Sequence, residues 1–134
     1  MPAKNYSYDS YLNLDSVQNR FVVYDLSKVP TLLKGAAYIS CLSEIENEMR
    51  ENCRKHQKTR ILLDDFLCLF SHPGSAYVLS DLWNYAKLYN SSFSAICSDV
   101  SILRYTYPGQ NILCNTKHVV IFELQPVERS ICQE

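Results

Sequence analysis

Two adjacent carboxylates follow a short apolar run near the middle of the chain. Asp64 and Asp65 stand in the sequence R-I-L-L-D-D-F, which spans Arg60–Phe66. If the apolar run is a strand of an open parallel sheet, these carboxylates lie at its carboxyl edge, where such sheets bind ligands. The first would then hold Mg²⁺ through water, and the second would orient or deprotonate an attacking water. The alternative is a strand that ends in a turn with the acids as helix caps, and these residues alone favour it.

Phosphate binding requires a further element. A phosphate-binding loop, G-x-x-x-x-G-K-[ST], uses glycines so that backbone amides can wrap the phosphates. The chain has three glycines, Gly35, Gly74 and Gly109, and none lies in such a motif. We therefore expect no triphosphate site in this chain alone.

Other residues with reactive side chains are weaker candidates. Cys53–His56 and Ser71–His72 place a nucleophile near a base in sequence, without the surrounding motif of a catalytic family. The three histidines fall in separate segments, so we expect no metal apart from nucleotide-bound Mg²⁺. Four aromatic residues lack the interleaved basic residues of a nucleic-acid surface and are expected in the core or at a protein contact. They are Trp83, Tyr85, Tyr89 and Tyr105.

The elements that would position Asp64 and Asp65 follow from the pattern of apolar residues. Four short, near-continuous apolar runs are typical of strands covered on both faces of a parallel sheet. They are Arg20–Leu26, Thr59–Leu63, Phe93–Cys97 and His118–Phe122. Apolar residues at helical spacing predict helices over Leu32–His56 and Gly74–Tyr89, and Asp99–Leu103 suggests a short third helix.

Caps and breaks complete the predicted fold. Asp99 is suited to accept hydrogen bonds from the free amides of the third helix, and Ser75 is a candidate cap for the second. Tyr107–Gln110 (Y-P-G-Q) is expected to break the chain before the last strand. The order β-α-β-α-β-α-β predicts an α/β fold, a single three-layer domain with a mainly parallel four-stranded sheet and helices on both faces.

Length, charge and cysteine usage set further bounds. The 134 residues, 47% of them hydrophobic, suit one domain over residues 16–134, and the tyrosine-rich residues 1–15 are expected to be loosely ordered. The net charge of -1 gives no general attraction to nucleic acid or to an anionic membrane. Because no run suits a signal peptide or a membrane span, a cytosolic location is expected. The six cysteines lack a C-x-x-C pair and are expected to be buried, reduced thiols.

Four segments fit, in order and at workable spacings, the pattern of one protein family. Asn19–Leu26 is similar to its N-R-F-V-x-F-D-[IL] strand, and Thr59–Phe66 with the following L-F is similar to its Walker B strand. Leu82–Val100 resembles L-W-K-x-x-R-K-x-[GN]-x-x-x-x-x-I-T-Q-N-V, and Gly109–Phe122 resembles G-x-x-[IM]-L-x-N-[ST]-x-x-x-V-x-[LF]. An acidic-Arg pair follows at Arg129. The chain thus resembles the ATPases of conjugative transposons and type IV secretion systems, in the FtsK/HerA group of RecA-like motors.

The resemblance covers roughly residues 11–131 and implies roles for four of them. Asp64 would hold Mg²⁺ through water if nucleotide is bound. Three residues would be catalytic: Asp65 stands where the family has a Glu, Ser98 where it has a sensor-like Gln, and Arg129 lies in the acidic-Arg pair. The changes at Asp65 and Ser98 weaken water positioning and γ-phosphate sensing.

The resemblance also implies how such a chain would act. The chain lacks the Walker A half of the family's ATPase domain, which carries the phosphate-binding loop. It would therefore be a truncated or split, partial RecA-like domain that cannot hydrolyse ATP alone. It would need no cofactor by itself, although the family uses Mg-ATP. Its partner would be a protein, either a second copy or a conjugation ATPase or secretion component, at the periphery of a membrane secretion complex. Neither direct nucleic-acid contact nor membrane insertion is expected.

The missing phosphate-loop strand also bears on strand order. Closing the gap that it leaves predicts the spatial order 1-2-3-4 for the four strands, and a gap that stays open predicts exposed edges that recruit a second chain. Two alternative functions stay open: a stand-alone hydrolase, and a small regulatory domain of the anti-sigma-antagonist type. The second needs a phosphorylatable serine at a strand-to-helix turn, which Ser71–Ser75 (S-H-P-G-S) loosely resembles.

Overall fold

The computed structural model describes residues 21–122 of the chain. Its helices are α1 (Lys34–Arg54), α2 (Pro73–Tyr85), α3 (Ser101–Tyr105) and α4 (Tyr107–Cys114), and its strands are β1 (Thr59–Leu63) and β2 (Ser91–Ala95). Short 3-10 helices cover Thr31–Leu33, Phe66–Ser71 and Ala86–Tyr89. No helix in this part of the chain has the length and apolar character needed to cross a membrane. The predicted loose segment, residues 1–15, lies outside the described residues.

The long helix α1 forms because its apolar residues recur on one side, and the helix predicted over residues 32–56 is confirmed apart from its ends. Its buried residues are Tyr38, Cys41, Leu42 and Met49. On the exposed side, Arg50 and Glu46 form an ion pair one helical turn apart, a surface pair that adds little to stability. The helix ends before His56, whose positive φ of 57° cannot continue a right-handed helix.

The two strands lie side by side and run parallel. The register pairs Thr59 with Ser91 and Leu63 with Ala95. β1 has the predicted bounds, whereas β2 begins two residues before the predicted strand over residues 93–97. Ser92 helps to explain the shift, since it is exposed and the exposed half of a strand need not be apolar.

The predicted four-stranded sheet, with order 1-2-3-4, is wrong. The described residues form one sheet of two strands. Residues 21–26, which include most of the predicted first strand, and residues 118–122, the predicted fourth, have no strand partner in the described part. Tyr24 lies close enough to Glu48 of α1 to feel its charge, and Leu26 packs on the core, so the first segment lies near α1. A run of apolar, β-branched residues favours an extended backbone, but it does not determine which element that segment packs against.

The predicted covering of both sheet faces is also wrong. On one face every second residue of both strands is exposed. These residues are Arg60, Leu62, Ser92 and Ser94. On the opposite face Ile61 is buried with Met49 of α1 and Ala86 of the following 3-10 helix. The described part is therefore a mixed α/β structure with helices on one side of a small sheet.

The main core forms where α2 meets α1 and the 3-10 helix after β1. Leu79 of α2 is fully buried, and Leu82 is nearly so. Both belong to one cluster with Phe66 and Leu42. Trp83 stacks on Phe93 of β2 with ring centroids 5.1 Å apart, which places this aromatic residue in the core as expected. The helix predicted over residues 74–89 is present as α2 and the 3-10 helix that continues it.

Ser75 does not cap α2 as predicted. His72 occupies the N-cap position and makes no side-chain cap, whereas Ser75 lies inside the first turn and is fully buried. Its hydroxyl donates to the backbone oxygens of Leu69 at 2.5 Å and His72 at 2.9 Å. The side chain therefore satisfies carbonyl groups of the preceding segment instead of the free amides of the helix.

The predicted break at Y-P-G-Q is instead the first turn of α4. Pro108 occupies a position that proline favours, because the amide it lacks would have no partner there. Thr106 is the cap, and its hydroxyl oxygen accepts a hydrogen bond from the Gly109 amide at 3.2 Å. The prediction for the preceding helix is confirmed in part, since Asp99 Oδ1 accepts a hydrogen bond from the Ser101 amide at 2.8 Å.

The described cysteines are free thiols, but not all of them are buried. Cys41 is buried, whereas Cys68 and Cys114 are exposed, so the prediction of buried thiols is wrong for these two. Cys132 lies outside the described residues. Cys68 lies in the 3-10 helix Phe66–Ser71 and Cys114 is the last residue of α4, and in both places the side chain faces solvent.

Candidate functional site

The candidate site lies at the carboxyl edge of the sheet, where Asp64 and Asp65 follow β1. Both side chains are exposed. Asp65 adopts a left-handed backbone conformation with φ 48° and ψ 48°, and the chain then enters the 3-10 helix Phe66–Ser71. Aspartate tolerates this conformation better than most residues, because its short polar side chain can bond locally. The pair thus sits at a turn, with neither acid buried by the fold.

The second strand brings Ser98 to the same edge. The amide of Ile96 donates to the carbonyl oxygen of Leu63 at 2.9 Å, so the strand pairing continues to the end of β1. Ser98 follows two residues later and is exposed. Because the strands are parallel, the residues that follow them lie at the same edge of the sheet. These residues include Asp64, Asp65 and Ser98. Arg129, the remaining predicted catalytic residue, lies outside the described residues.

A neighbouring acid is already engaged in local structure. Asp99 Oδ1 accepts bonds from the hydroxyl of Ser101 at 2.5 Å and from its amide at 2.8 Å. These bonds stabilise the carboxylate and hold the pKa of Asp99 below its ordinary value. The Asp99 side chain therefore stabilises the first turn of α3.

Sequence reasoning missed Tyr38, which lies behind the acidic turn. This buried side chain of α1 forms a hydrogen bond with the Cys68 side chain, and its ring centroid is 5.8 Å from that of His72. Burial raises the pKa of Tyr38, and the bond to Cys68 and the negative charge of Asp65 act in the same direction. A tyrosine on the buried face of a predicted helix is the signal that could have indicated it, since its hydroxyl needs a partner there.

The nucleophiles that lie near a histidine in the sequence, Cys53 and Ser71, form their hydrogen bonds with backbone carbonyl groups. Ser71 donates its hydroxyl proton to the carbonyl oxygen of Cys68 at 2.6 Å, and the Cys53 thiol lies 3.7 Å from the carbonyl oxygen of Leu88. Each nucleophile is thus bonded to backbone. Ser75 is fully buried, so of the two serines weighed for phosphorylation only Ser71 is accessible in the folded chain.

The glycines have structural roles that differ from phosphate binding. Gly35, Gly74 and Gly109 lie inside α1, α2 and α4 respectively, and no described glycine has positive φ. Gly35 leaves room for His72, whose Nδ1 would stand 3.0 Å from a side-chain carbon at that position. Within residues 21–122 there is also no group of three metal-ligating side chains suited to hold an ion.

Comparison of the chain with protein-family models, curated proteins and solved structures finds no match. The resemblance to conjugative-transfer ATPases stays a prediction from the sequence motifs.

Proposed function

We propose that this chain is an ATPase-like subunit of a conjugative-transfer (type IV secretion) system that does not hydrolyse ATP alone and acts by binding another protein. The observation that carries the proposal is the uncovered face of the two-stranded sheet. Parallel strands are ordinarily covered on both faces. Here Leu62 of β1 is 69% exposed and Ile96, just beyond β2, is 58% exposed. A partner covering this face would stabilise the complex by about 2 kcal/mol for each such side chain.

The open sheet edges support the same proposal. Within the described residues each strand has one neighbour, so the outer edges of β1 and β2 carry unpaired backbone groups. Such edges readily accept a further strand, and a two-stranded sheet is marginal by itself. The apolar segments at residues 21–23 and 119–122 are also exposed. A protein partner is the simplest way to cover these surfaces together.

The glycines and the acidic pair explain why the chain alone should not hydrolyse ATP. The three glycines are held in helices, so none is available to a loop of convergent amides. Asp64 and Asp65 stand at the sheet edge where nucleotides bind in open α/β folds, but without phosphate ligands beside them in this chain. The isolated protein should therefore neither bind ATP tightly nor hydrolyse it.

The proposed partner is a RecA-like ATPase of the same transfer system, on the cytoplasmic side of its membrane complex. Such an ATPase would supply the phosphate-binding loop, while this chain would present an exposed acidic strand end. The motif matches around Asn19–Leu26 and Thr59–Phe66 support the assignment. The uncovered sheet face supports contact with a protein, whichever ATPase supplies it.

A matched pair of leucine substitutions tests the proposed surface. Binding of the full chain to a purified conjugative-transfer ATPase is measured by calorimetry. Leu62→Lys should weaken binding by roughly tenfold or more, because an ammonium group would be buried in the contact. Leu88→Lys makes the same change at a leucine that is 71% exposed on the 3-10 helix Ala86–Tyr89, and should leave binding unchanged. Equal losses, or no binding by the unmodified chain, would contradict the proposal.

Nucleotide assays test the catalytic half of the proposal separately. The isolated chain should show no saturable ATP binding in the micromolar range and no turnover. Asp65→Asn is the decisive control, because turnover abolished by this exposed substitution would establish an active hydrolase and refute the proposal.

A further inference from the structure

A small cavity opens at the amino end of the sheet, opposite the acidic edge. Its volume is about 290 Å³, and it is lined by Lys58, Arg60 and Lys87 together with a threonine, an asparagine and two serines. Because the strands are parallel and begin together, the cavity lies at their starts. It is therefore spatially separate from Asp64 and Asp65.

Two turns bring the basic residues together. Asn90 adopts a left-handed conformation with φ 50° between the 3-10 helix that carries Lys87 and the start of β2. Its side-chain amide donates to the carbonyl oxygen of Gln57 at 3.4 Å, which links this turn to the segment before β1. The register then sets Arg60 beside Ser92 on neighbouring strands. The pairing of β1 with β2 and the hydrogen bond from Asn90 to Gln57 thus hold the two walls of the cavity together.

Within residues 21–122, no acid compensates the charge of the cavity wall. No acidic residue lines it, and Lys58, Arg60 and Lys87 form no ion pair with the acids of the described residues. By contrast, Arg50 of α1 is paired with Glu46 and Arg54 with Glu51. Three like charges around one small space repel one another, and a bound anion would relieve that repulsion.

The polar groups on the wall suit an oxyanion. Arg60 offers a planar fork of donors that matches two oxygens of a phosphate, while the two lysines act as point charges. Ser91 already donates to the carbonyl oxygen of Tyr89 at 2.9 Å, whereas the Ser92 hydroxyl has no partner among the described residues. A hydroxyl and an arginine that are paired across two neighbouring strands can bond the same anion.

We propose that this cavity binds the phosphate group of a small phosphorylated molecule. Its volume lies near the lower limit of small-molecule pockets, so it suits a small phosphorylated molecule and excludes a large one. The absence of a general positive charge on the chain makes this a local site, unlike the extended basic surface of a nucleic-acid-binding protein. Arg60 and Ser92 lie on the same sheet face as Leu62, so a partner that covers this face would also lie over one wall of the cavity. The test below uses the chain alone, and its outcome does not depend on that contact.

Pyrophosphate is a suitable probe. Its binding to the full chain is measured by calorimetry at low ionic strength, where exposed charges are least screened. Arg60→Gln and Lys87→Ala should each weaken binding by about fivefold, as expected for loss of one exposed charge contact. Lys117→Ala removes an exposed lysine that does not line the cavity and should leave the affinity unchanged. Far-UV circular dichroism verifies that each variant is folded.

A single-stranded oligonucleotide provides the competing arm. The proposal is supported if pyrophosphate binds with the stated dependence on Arg60 and Lys87. It is overturned if pyrophosphate does not bind, or if Lys117→Ala has the same effect as the two cavity variants. Binding of the oligonucleotide alone would also overturn it, since that result assigns the charges to a nucleic-acid surface.

Discussion

Gly109 of α4 lies directly against the backbone of Leu103 in α3. A side-chain carbon at position 109 would stand 2.4 Å from Leu103 Cα and 2.5 Å from its carbonyl oxygen, distances that no real contact tolerates. The close approach lets α4 follow α3 with Thr106 between the two helices and lets Leu103 and Ile112 enter the core. The glycine therefore permits a helix-to-helix contact.

Gly109→Ala should destabilise the fold, because the added carbon meets backbone that cannot move aside. We expect a loss of about 2 kcal/mol or more in the free energy of unfolding, measured by urea denaturation. Gly74→Ala is the matched control in α2, since its new carbon would approach only the flexible end of Ile39 at 3.3 Å. That variant should be neutral or gain up to about 1 kcal/mol from helix propensity. Similar losses in both variants would show that the α3–α4 contact is not tight.

Two leucine truncations should separate the covered and uncovered sides of the structure. Leu79→Ala removes a side chain with no exposed surface and should cost about 2–5 kcal/mol, because it leaves a cavity in the core. Leu62→Ala removes one that is 69% exposed and should change stability by less than about 0.5 kcal/mol. Urea denaturation at a protein concentration low enough to keep the chain monomeric measures both. A large loss for Leu62→Ala would mean that this face is covered in solution.

Substitutions at Asp65 should depend on backbone conformation more than on charge. Asp64→Asn and Asp65→Asn should each alter stability by less than about 1 kcal/mol, because both side chains are exposed. Asp65→Val should cost about 1–2 kcal/mol more than Asp65→Asn, since a β-branched residue is strained at φ 48°. Thermal or chemical denaturation distinguishes these cases. A loss of several kcal/mol on Asp65→Asn would instead identify a structural cap.

The tyrosines near α1 should make the protein less stable at high pH. Burial, aided by the charge of Glu48, raises the pKa of Tyr24 to about 12. The folded state keeps the proton where the unfolded chain, with a pKa of about 10, has lost it. The stability that protonated Tyr24 contributes to the folded state is therefore fully present below pH 10 and is lost as the pH rises toward 12. Chemical denaturation across this range should show a decline that Tyr24→Phe makes shallower, and an unchanged slope would count against the placement of Tyr24.

The sequence identified the elements whose signal is local. The amphipathic spacing of α1 and the apolar run of β1 each required only their own residues, and both predictions agree with the structure. For β2 the inward positions Phe93 and Ala95 were both in the predicted run, but the leading serines concealed where the strand begins. In each of these elements, the apolar residues on one buried face are enough to predict the structure.

The errors arose where the partner of a segment decides its structure. The segment at residues 118–122 has strand-like residues but no neighbour in the described sheet, and the segment at residues 21–26 lies near α1. At Y-P-G-Q, proline and glycine suggested a turn, although proline also starts helices and Gly109 was needed for close packing. At the candidate site the acids were visible in the sequence, whereas Tyr38 depended on how α1 lies over the turn.

The pairing of β1 with β2 has a consequence for the speed of folding. Every paired residue in this sheet is separated from its partner by the whole of α2, so the sheet cannot begin as a hairpin. The chain must close that loop and lose its conformational entropy before any inter-strand bond forms. We therefore expect the rate-limiting nucleus to include a docked α2. Weakening that helix should slow refolding, whereas weakening the later contact between α3 and α4 should mainly accelerate unfolding.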